Sequence, residues 1–185
     1  AQLAAPKLTH KSKVIDPASG AGILLAALTH AVCGMDRAKI VHWLAEGVCA
    51  ADLSANSLRA ALLSLASFTD DLDALKAMRS RWYCGDSLMA DRKVWDDMAP
   101  EGFDAVIGNP PWEKIKLSRH EFLKSSGAKR HYGAQVHGID EKRFAAHRDE
   151  VANYSRRLVA RYPDLGHGDP DLYIAFTDLF FDLCK

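Results

Sequence analysis

Short apolar segments alternate with longer amphipathic ones along this chain. The short segments, rich in Val, Ile, Ala and aromatic residues, predict β-strands at 13–15, 47–51, 81–84 and 103–107. The longer segments repeat apolar residues at helical spacing and predict helices at 22–33, 36–44, 54–68, 72–78, 141–162 and 172–184. Strands that alternate with helices indicate βαβ units, so the predicted fold class is α/β, a parallel sheet flanked by helices.

All four predicted strands end in polar turns that contain Gly, Pro or Asp. In chain order, the turn sequences are DPASGAG, DLS, GDS and NPPW. The carboxyl ends of parallel strands meet at one edge of a sheet, and ligands of open α/β folds bind at that edge. We therefore expect these turns to meet at a ligand site.

Length and composition indicate a globular protein whose charge is unevenly distributed. The 185 residues are enough for one α/β domain, and the 48% hydrophobic and 26% charged content argues against disorder. Net charge is zero, yet 1–112 carries 11 Lys and Arg against 13 Asp and Glu, whereas 113–161 carries 12 against 6 and 162–185 carries 1 against 5. The middle segment is therefore basic, at +6, between two acidic ones.

The charge pattern divides the chain into three segments. We predict a core at 1–112, a basic insertion at 113–168 with a loop at 125–140, and a core helix within 169–185 that belongs to the same domain as the first segment. The basic residues of 113–161, with Tyr132 and Tyr154 among them, can contact DNA phosphates. A solvated surface insertion is the alternative. Because the chain lacks an initiating Met, we expect it to be a piece of a longer protein.

Cysteine spacing and hydropathy argue against several classes of protein. Cys33, Cys49, Cys84 and Cys184 lie far apart, without the C-x-x-C or paired histidine spacing of zinc sites. We expect no metal and no disulfide framework, and a reducing cytoplasm as the location. The longest uncharged run, 17–35, contains glycine, proline and polar residues, so no membrane span is predicted and no membrane partner is expected.

The first polar turn, DPASGAG at 16–22, places an acidic residue and two glycines before a helix. This order directs backbone N–H groups and the positive end of a helix toward a ligand. Leu25 stands where the dinucleotide motif G-x-G-x-x-G has its third glycine, and Asp16 would repel a pyrophosphate. A carboxylate here suits a cationic ligand, one with an amino group or a sulfonium. An ordinary tight turn is the alternative.

Two further acidic residues follow the second and third predicted strands. At the position of Asp52 a carboxylate can accept hydrogen bonds from both hydroxyls of a ribose. Complementing the dipole of the next helix is the alternative role. Asp86, in the sequence CGDSL, lies where a carboxylate can recognise an adenine amino group. On its own Asp86 would be only a turn residue.

The fourth turn, NPPW at 109–112, has the most specific chemistry in the chain. Asn109 offers a side-chain oxygen acceptor, and the bond between Pro110 and Pro111 fixes a backbone carbonyl near it without adding N–H donors. Two converging acceptors can hold an amino group through both hydrogens and favour a pyramidal nitrogen that attacks an electrophile. Trp112 offers a face on which a planar base can stack. The alternative is a hydrophobic turn whose tryptophan belongs to the core.

In this order, the segments DPASGAG, DLSANSLRAALLSLA, CGDSL and IGNPPW resemble the adenine-N6 DNA methyltransferases. Within that family the chain is most similar to the type IIG restriction–modification and phage-defence methylases, which carry GNPPW and a later DLY-containing helix, here GDPDLYIAF. The resemblance implies a Rossmann-like S-adenosylmethionine (SAM)-dependent methyltransferase fold. It also implies that this chain is truncated before the last strands of that fold.

The resemblance also implies the roles of individual residues. Asn109 and the Pro110 carbonyl would hold the N6 amino group of a flipped adenine, with Pro111 completing the turn and Trp112 stacking on the base. DPASGAG would lie near the methionine part of SAM, Asp52 on its ribose and Asp86 on its adenine. The implied cofactor-binding set is Asp16, Pro17, Ala18, Ser19, Gly20, Gly22, Asp52, Leu53, Asp86 and Ser87.

The implied partners are double-stranded DNA and the rest of a parent polypeptide, with a target-recognition region and with or without a nuclease. Residues 1–12 do not clearly supply the aromatic SAM motif that the family carries before its first strand, and neither the family's last strands nor a target-recognition domain is expected in this piece. Activity of this piece by itself is therefore not expected. Two alternatives stay open. An NPP-type methyltransferase can act on RNA or on a protein glutamine, and a non-catalytic module of this fold can bind only DNA or a partner.

Overall fold

The computed structural model describes residues 7–112, 114–115, 141–165 and 171–185, with side chains from 145 onward in the helix that begins at 141. The chain divides into two compact units. The first comprises Ala1–Pro111 and Phe176–Lys185, and the second comprises Trp112–Ala175. The loop predicted at 125–140 lies outside the described residues.

The first unit contains a parallel sheet of four strands. The strands are β1 Val14–Asp16, β2 Val48–Asp52, β3 Trp82–Cys84 and β4 Ala105–Val106. Their order is β3-β2-β1-β4, and every pairing is parallel. The chain thus builds outward from β1 to β3 and then returns to the other side of β1, so the direction of winding switches between β1 and β4. This order is compatible with a Rossmann-like fold, and the predicted α/β class with a parallel sheet is confirmed.

Helices flank this sheet. In chain order they are α1 Ile23–Cys33, α2 Arg37–His42, α3 Ala55–Ala66, α4 Leu72–Ser80 and α5 Arg92–Met98. The second unit contains α6 Glu141–Arg161, and α7 Leu172–Leu183 begins in the second unit and ends in the first. The predicted N-cap of α3 is confirmed, because the Ser54 hydroxyl accepts a hydrogen bond from Ser57 N–H at 3.3 Å.

The core of the first unit is formed by the central strands and the apolar faces of the helices beside them. All residues of β1 are buried, and in β2 every residue but the last is buried, as expected for parallel strands covered on both faces. Trp43 lies fully inside, where its Nε1 donates to Thr29 Oγ1 at 3.0 Å. The Thr29 hydroxyl in turn donates to the Leu25 carbonyl at 2.8 Å, so this buried polar group is satisfied.

Two segments differ from the sequence-based prediction. The helix predicted at 36–44 ends at His42 and continues as a π-helical turn, Trp43–Gly47, which leads directly into β2. A side chain at Gly47 would lie 2.6 Å from the Ser12 carbonyl oxygen, so the chain passes too close there for any other residue. The second difference is α5, which the sequence analysis did not predict.

The outer side of β4 contacts the end of α7. Phe103 N–H donates to the Leu183 carbonyl at 2.9 Å, and Lys185 N–H donates to the Phe103 carbonyl at 3.1 Å. These two bonds form a parallel bridge between Phe103 and Cys184. The regular strand β4, Ala105–Val106, is therefore shorter than the strand predicted at 103–107. Phe103, the first residue of the predicted strand, instead pairs with Cys184, just after α7.

Candidate active site

The turns after β1 and β2 are joined by backbone and carboxylate hydrogen bonds. Ser19 N–H donates to the Ala51 carbonyl at 3.0 Å, and Gly20 N–H donates to Asp52 Oδ2 at 2.9 Å. The DPASGAG turn therefore folds over the carboxyl end of β2, and the two acidic residues predicted to bind a ligand lie at the same edge of the sheet.

Asp16 is the last residue of β1, and its environment disfavours the charged form of its carboxyl group. Its side chain is 1% exposed, and its Oδ1 accepts a hydrogen bond from Ala18 N–H at 3.1 Å. Burial raises the pKa of the Asp16 carboxyl to about 7; the Ala18 hydrogen bond opposes this shift, and the charge of Asp52 adds to it. In the described part of the chain no basic side chain forms an ion pair with Asp16, so a cation would relieve this unfavourable burial.

Asp52 is half-buried and holds two turns at once. Besides the bond from Gly20, its Oδ1 accepts from Ser54 N–H at 2.8 Å. A carboxylate oxygen can accept a second hydrogen bond, so Asp52 retains acceptor capacity for a ligand hydroxyl. Leu53, next to it, is exposed.

The turn after β3 is tied to the same edge. Gly85 N–H donates to the Asp52 carbonyl at 3.0 Å, and the buried Ser87 hydroxyl donates to the Pro17 carbonyl at 2.6 Å. Asp86 Oδ1 accepts from Leu88 N–H at 3.0 Å, which shapes the turn. The first, second and third turns thus form a continuous hydrogen-bonded edge.

The chain after β4 passes close to Asp16. A β-carbon at Gly108 would lie 2.7 Å from the ring of Phe180 and 3.2 Å from Asp16 Oδ1, so any other residue there would force these side chains to shift. Asn109 follows and is exposed, Pro110 is buried and Pro111 is exposed. Gly108 was not among the predicted site residues, although it directly precedes Asn109 in IGNPPW.

Gly22, the last residue of the first turn, lies close against Ala61 of α3. Its φ is +72°, and a β-carbon on it would lie 2.9 Å from the Ala61 β-carbon in α3. Gly22 therefore lets α1 and α3 pack closely. The Ser19 hydroxyl, which is buried in the same turn, has no hydrogen-bond partner among the described residues.

The second unit begins with Trp112, whose ring is stacked on Tyr173. The ring centroids lie 4.9 Å apart with an interplanar angle of 16°. Trp112 is 71% exposed and Tyr173 42%, so the alternative of a core tryptophan is wrong for the described structure. Tyr173 lies in the quoted DLY segment, but the sequence analysis gave it no role. Tyr173 and Trp112 are far apart in the sequence, so the sequence alone did not indicate that their rings are in contact.

Of the basic segment 113–161, the structure describes Lys114, Ile115 and α6. On α6, Arg148 lies 3.5 Å from Asp149, and Arg156 donates to Asn153. Contact of this segment with DNA stays a prediction. In the described ranges no group of three or more metal-binding side chains occurs, and no helix there is long and apolar enough to cross a membrane.

The sheet edge of the first unit therefore combines acceptors with a buried, uncompensated carboxylate. The residues there that the sequence predicted are Asp16, Pro17, Ala18, Ser19, Gly20, Asp52, Leu53, Asp86, Ser87, Asn109, Pro110 and Pro111. Such an edge can bind a ligand that carries positive charge together with hydrogen-bond donors. Comparison with protein-family models and with curated proteins finds no match to this chain.

Proposed function

We propose that the first unit binds SAM at the carboxyl edge of its sheet and that the protein transfers the methyl group to the N6 amino group of adenine in DNA, as part of a larger restriction or defence methylase. One observation carries the proposal. The DPASGAG and NPPW segments are far apart in sequence, yet they follow the adjacent parallel strands β1 and β4. Ligands of open α/β sheets bind at such a switch point.

The buried groups of the first turn fit the methionine part of SAM. The Asp16 carboxylate has no basic partner in the described chain, and the Ser19 hydroxyl has no hydrogen-bond partner there. SAM carries a sulfonium and an ammonium, both of which compensate a carboxylate, and the ammonium also donates hydrogen bonds. The remaining acceptor capacity of Asp52 and Asp86 fits the ribose hydroxyls and the adenine amino group.

The NPPW segment fits the transfer step. When bound, SAM supplies a methyl group on a positively charged sulfur. The Asn109 side-chain oxygen and the Pro110 carbonyl accept the two hydrogens of the adenine amino group and orient the nitrogen lone pair toward that methyl. The exposed ring of Trp112 offers a stacking face for the flipped base. The nitrogen would form its bond to the methyl carbon as the bond from that carbon to sulfur breaks, leaving S-adenosylhomocysteine, and the methylated amine would release one proton to solvent. The proposed mechanism therefore needs neither a covalent enzyme intermediate nor a metal.

Asn109→Ala tests this proposal. The complete gene product, wild type or variant, is expressed in cells that lack other adenine methylases, and nucleosides from their DNA are analysed by mass spectrometry. N6-methyladenine is expected with the wild type and with the control Asn56→Ala, which changes an exposed asparagine of α3 that is not among the proposed site residues. It is expected to be absent with Asn109→Ala, because the amino group loses one of its two acceptors. SAM affinity should stay within a few-fold.

Three results would lead away from the proposal. N6-methyladenine at the wild-type level with Asn109→Ala would refute the role of the carboxamide. SAM binding without any methylated base would redirect the search to an RNA base or a protein glutamine. Absence of SAM binding in the complete gene product would refute the cofactor and favour a module that only binds a partner.

A further inference from the structure

A second candidate site lies beside β3, the strand at one edge of the sheet in the first unit. It is a pocket of about 200 Å³ between β3 and helices α3 and α4. Its lining includes Leu58, Arg59, Leu62, Arg79, Trp82 and Cys84. None of the residues proposed to bind SAM or adenine lines this pocket, so it is separate from the turns described above.

The residues that line the pocket include two arginines without an ion pair in the described chain and a tryptophan. Arg59 donates to the side chain of Asn56 at 3.1 Å and forms no ion pair in the described chain. The Arg79 guanidinium forms neither a hydrogen bond nor an ion pair there, and Trp82 Nε1 is buried without an acceptor. Several other basic side chains of this unit pair with aspartates. Of these donors only Trp82 Nε1 is buried, and a buried donor without an acceptor is unfavourable. Arg59 and Arg79 are exposed, and two guanidinium groups without an ion pair make this pocket positively charged, so it attracts an anion.

The rest of the lining is apolar. Leu58 and Leu62 project from α3, and the Trp82 indole adds a broad apolar surface. Guanidinium groups bind carboxylates through paired, charge-assisted hydrogen bonds. The volume is smaller than that of pockets for drug-sized ligands. We propose that this pocket binds a small organic carboxylate with an apolar body, of about the size of benzoate. This inference is independent of the proposed methyl transfer.

The Trp82 indole N–H provides a direct readout. The complete chain is labelled with ¹⁵N-tryptophan, and the Trp82 indole signal is assigned with Trp82→Phe. Benzoate is the probe, and benzamide, which has the same shape without the charge, is the matched control. Inorganic sulfate tests charge without an apolar body. We expect a saturable shift with benzoate and binding at least about tenfold weaker with benzamide and sulfate.

Two variants test the arginines. Both arginines are exposed, so either can be replaced without opening the core. Arg79→Gln is expected to raise the Kd for benzoate at least about tenfold, and Arg59→Gln is expected to raise it as well. Arg92→Gln is the matched control, because Arg92 pairs with Asp96 outside the pocket and its loss should leave the Kd unchanged. The indole signals of the buried Trp43 and Trp95 report whether each variant is folded.

Several outcomes would overturn the inference. One is the absence of a saturable Trp82 shift at benzoate concentrations in the tens of millimolar. Equal binding of benzamide would show that the anion is not recognised, and equal binding of sulfate would show that the apolar body is not. An unchanged Kd in both folded arginine variants would remove the guanidinium groups from the site.

Discussion

Replacing Asp16 by Asn should stabilise the protein above neutral pH. Asp16 is buried at the end of β1, with one hydrogen bond, from Ala18 N–H, and no basic partner in the described chain. Burial raises the pKa of this carboxyl to about 7, against 3.8 for an unperturbed side chain, with the charge of Asp52 adding to the shift. Asn has nearly the same shape and can accept the same hydrogen bond, but it carries no charge to bury.

The size and sign of the effect follow from the two pKa values. Below pH 3.8 the Asp16 carboxyl is protonated in both folded and unfolded protein, and it contributes no pH dependence. As the pH rises toward 7, the unfolded chain releases the proton first, so stability is lost. Above pH 7 the loss levels off at about 4 kcal/mol. At about pH 5.5 it is about half as large.

Denaturant unfolding of wild type and Asp16→Asn at about pH 8 and about pH 5.5 measures this difference. The stability difference in favour of the variant should be about 2 kcal/mol larger at the higher pH than at the lower one. A stability difference that does not change with pH would refute the reasoning, since it would mean that Asp16 titrates normally in the folded protein.

Asp104→Asn is the control with the opposite sign. Burial raises the pKa of Asp104, but the hydrogen bond from Lys13 N–H and the ion pair with Lys185 outweigh this and lower it overall. Its contribution is therefore present at neutral pH and lost as the pH falls through the folded-state pKa. Asp104→Asn should destabilise the protein at about pH 8 and less so in acid.

Three further predictions follow from the site. Gly22→Ala should cost about 2–4 kcal/mol in unfolding free energy, because of its positive φ and the close β-carbon of α3; Gly20→Ala, with positive φ but no neighbouring atom within 4 Å, should cost less. Asp52→Asn should weaken SAM binding about tenfold or more, measured by calorimetry, and unchanged affinity would exclude a ribose contact. Tyr173→Ala should change the fluorescence of Trp112, whereas Tyr173→Phe keeps the stacked ring and should not.

The sequence predicted the sheet because its signals are local. The apolar segments that became β1 and β2 are bounded by Asp and Gly, and their predicted ends lie within one residue of the observed ones. Helix α5 was missed because it is short and mostly charged. The sequence nevertheless contains two features that are typical of a helix at this position. Asp91 caps the helix by accepting from Lys93 N–H, and Arg92 and Lys93 pair with aspartates four residues on.

The contacts that shape the candidate site were beyond the sequence because they join distant segments. The pattern assigned Asp16 and Asp52 to ligand binding, but it gave no sign that Asp52 also fastens the first turn through Gly20. The approach of Gly108 to Asp16 depends on β4 returning to the far side of β1. Hydrophobic periodicity records which residues are buried and does not record which strands become neighbours.

Asp16 is the position where stability and ligand binding conflict most clearly. The first three turns at this edge are joined by hydrogen bonds that do not involve Asp16, whose carboxylate accepts one bond, from Ala18 N–H, and is buried without a basic partner in the described chain. A neutral acceptor would serve the fold equally well there. Departures of this kind from the rule that buried charges are paired concentrate at functional sites. A cation bound here would lower the pKa of Asp16 and recover the free energy that burial of the charge costs. The same carboxylate that destabilises the free protein therefore strengthens binding of a positively charged ligand relative to a neutral one of the same shape.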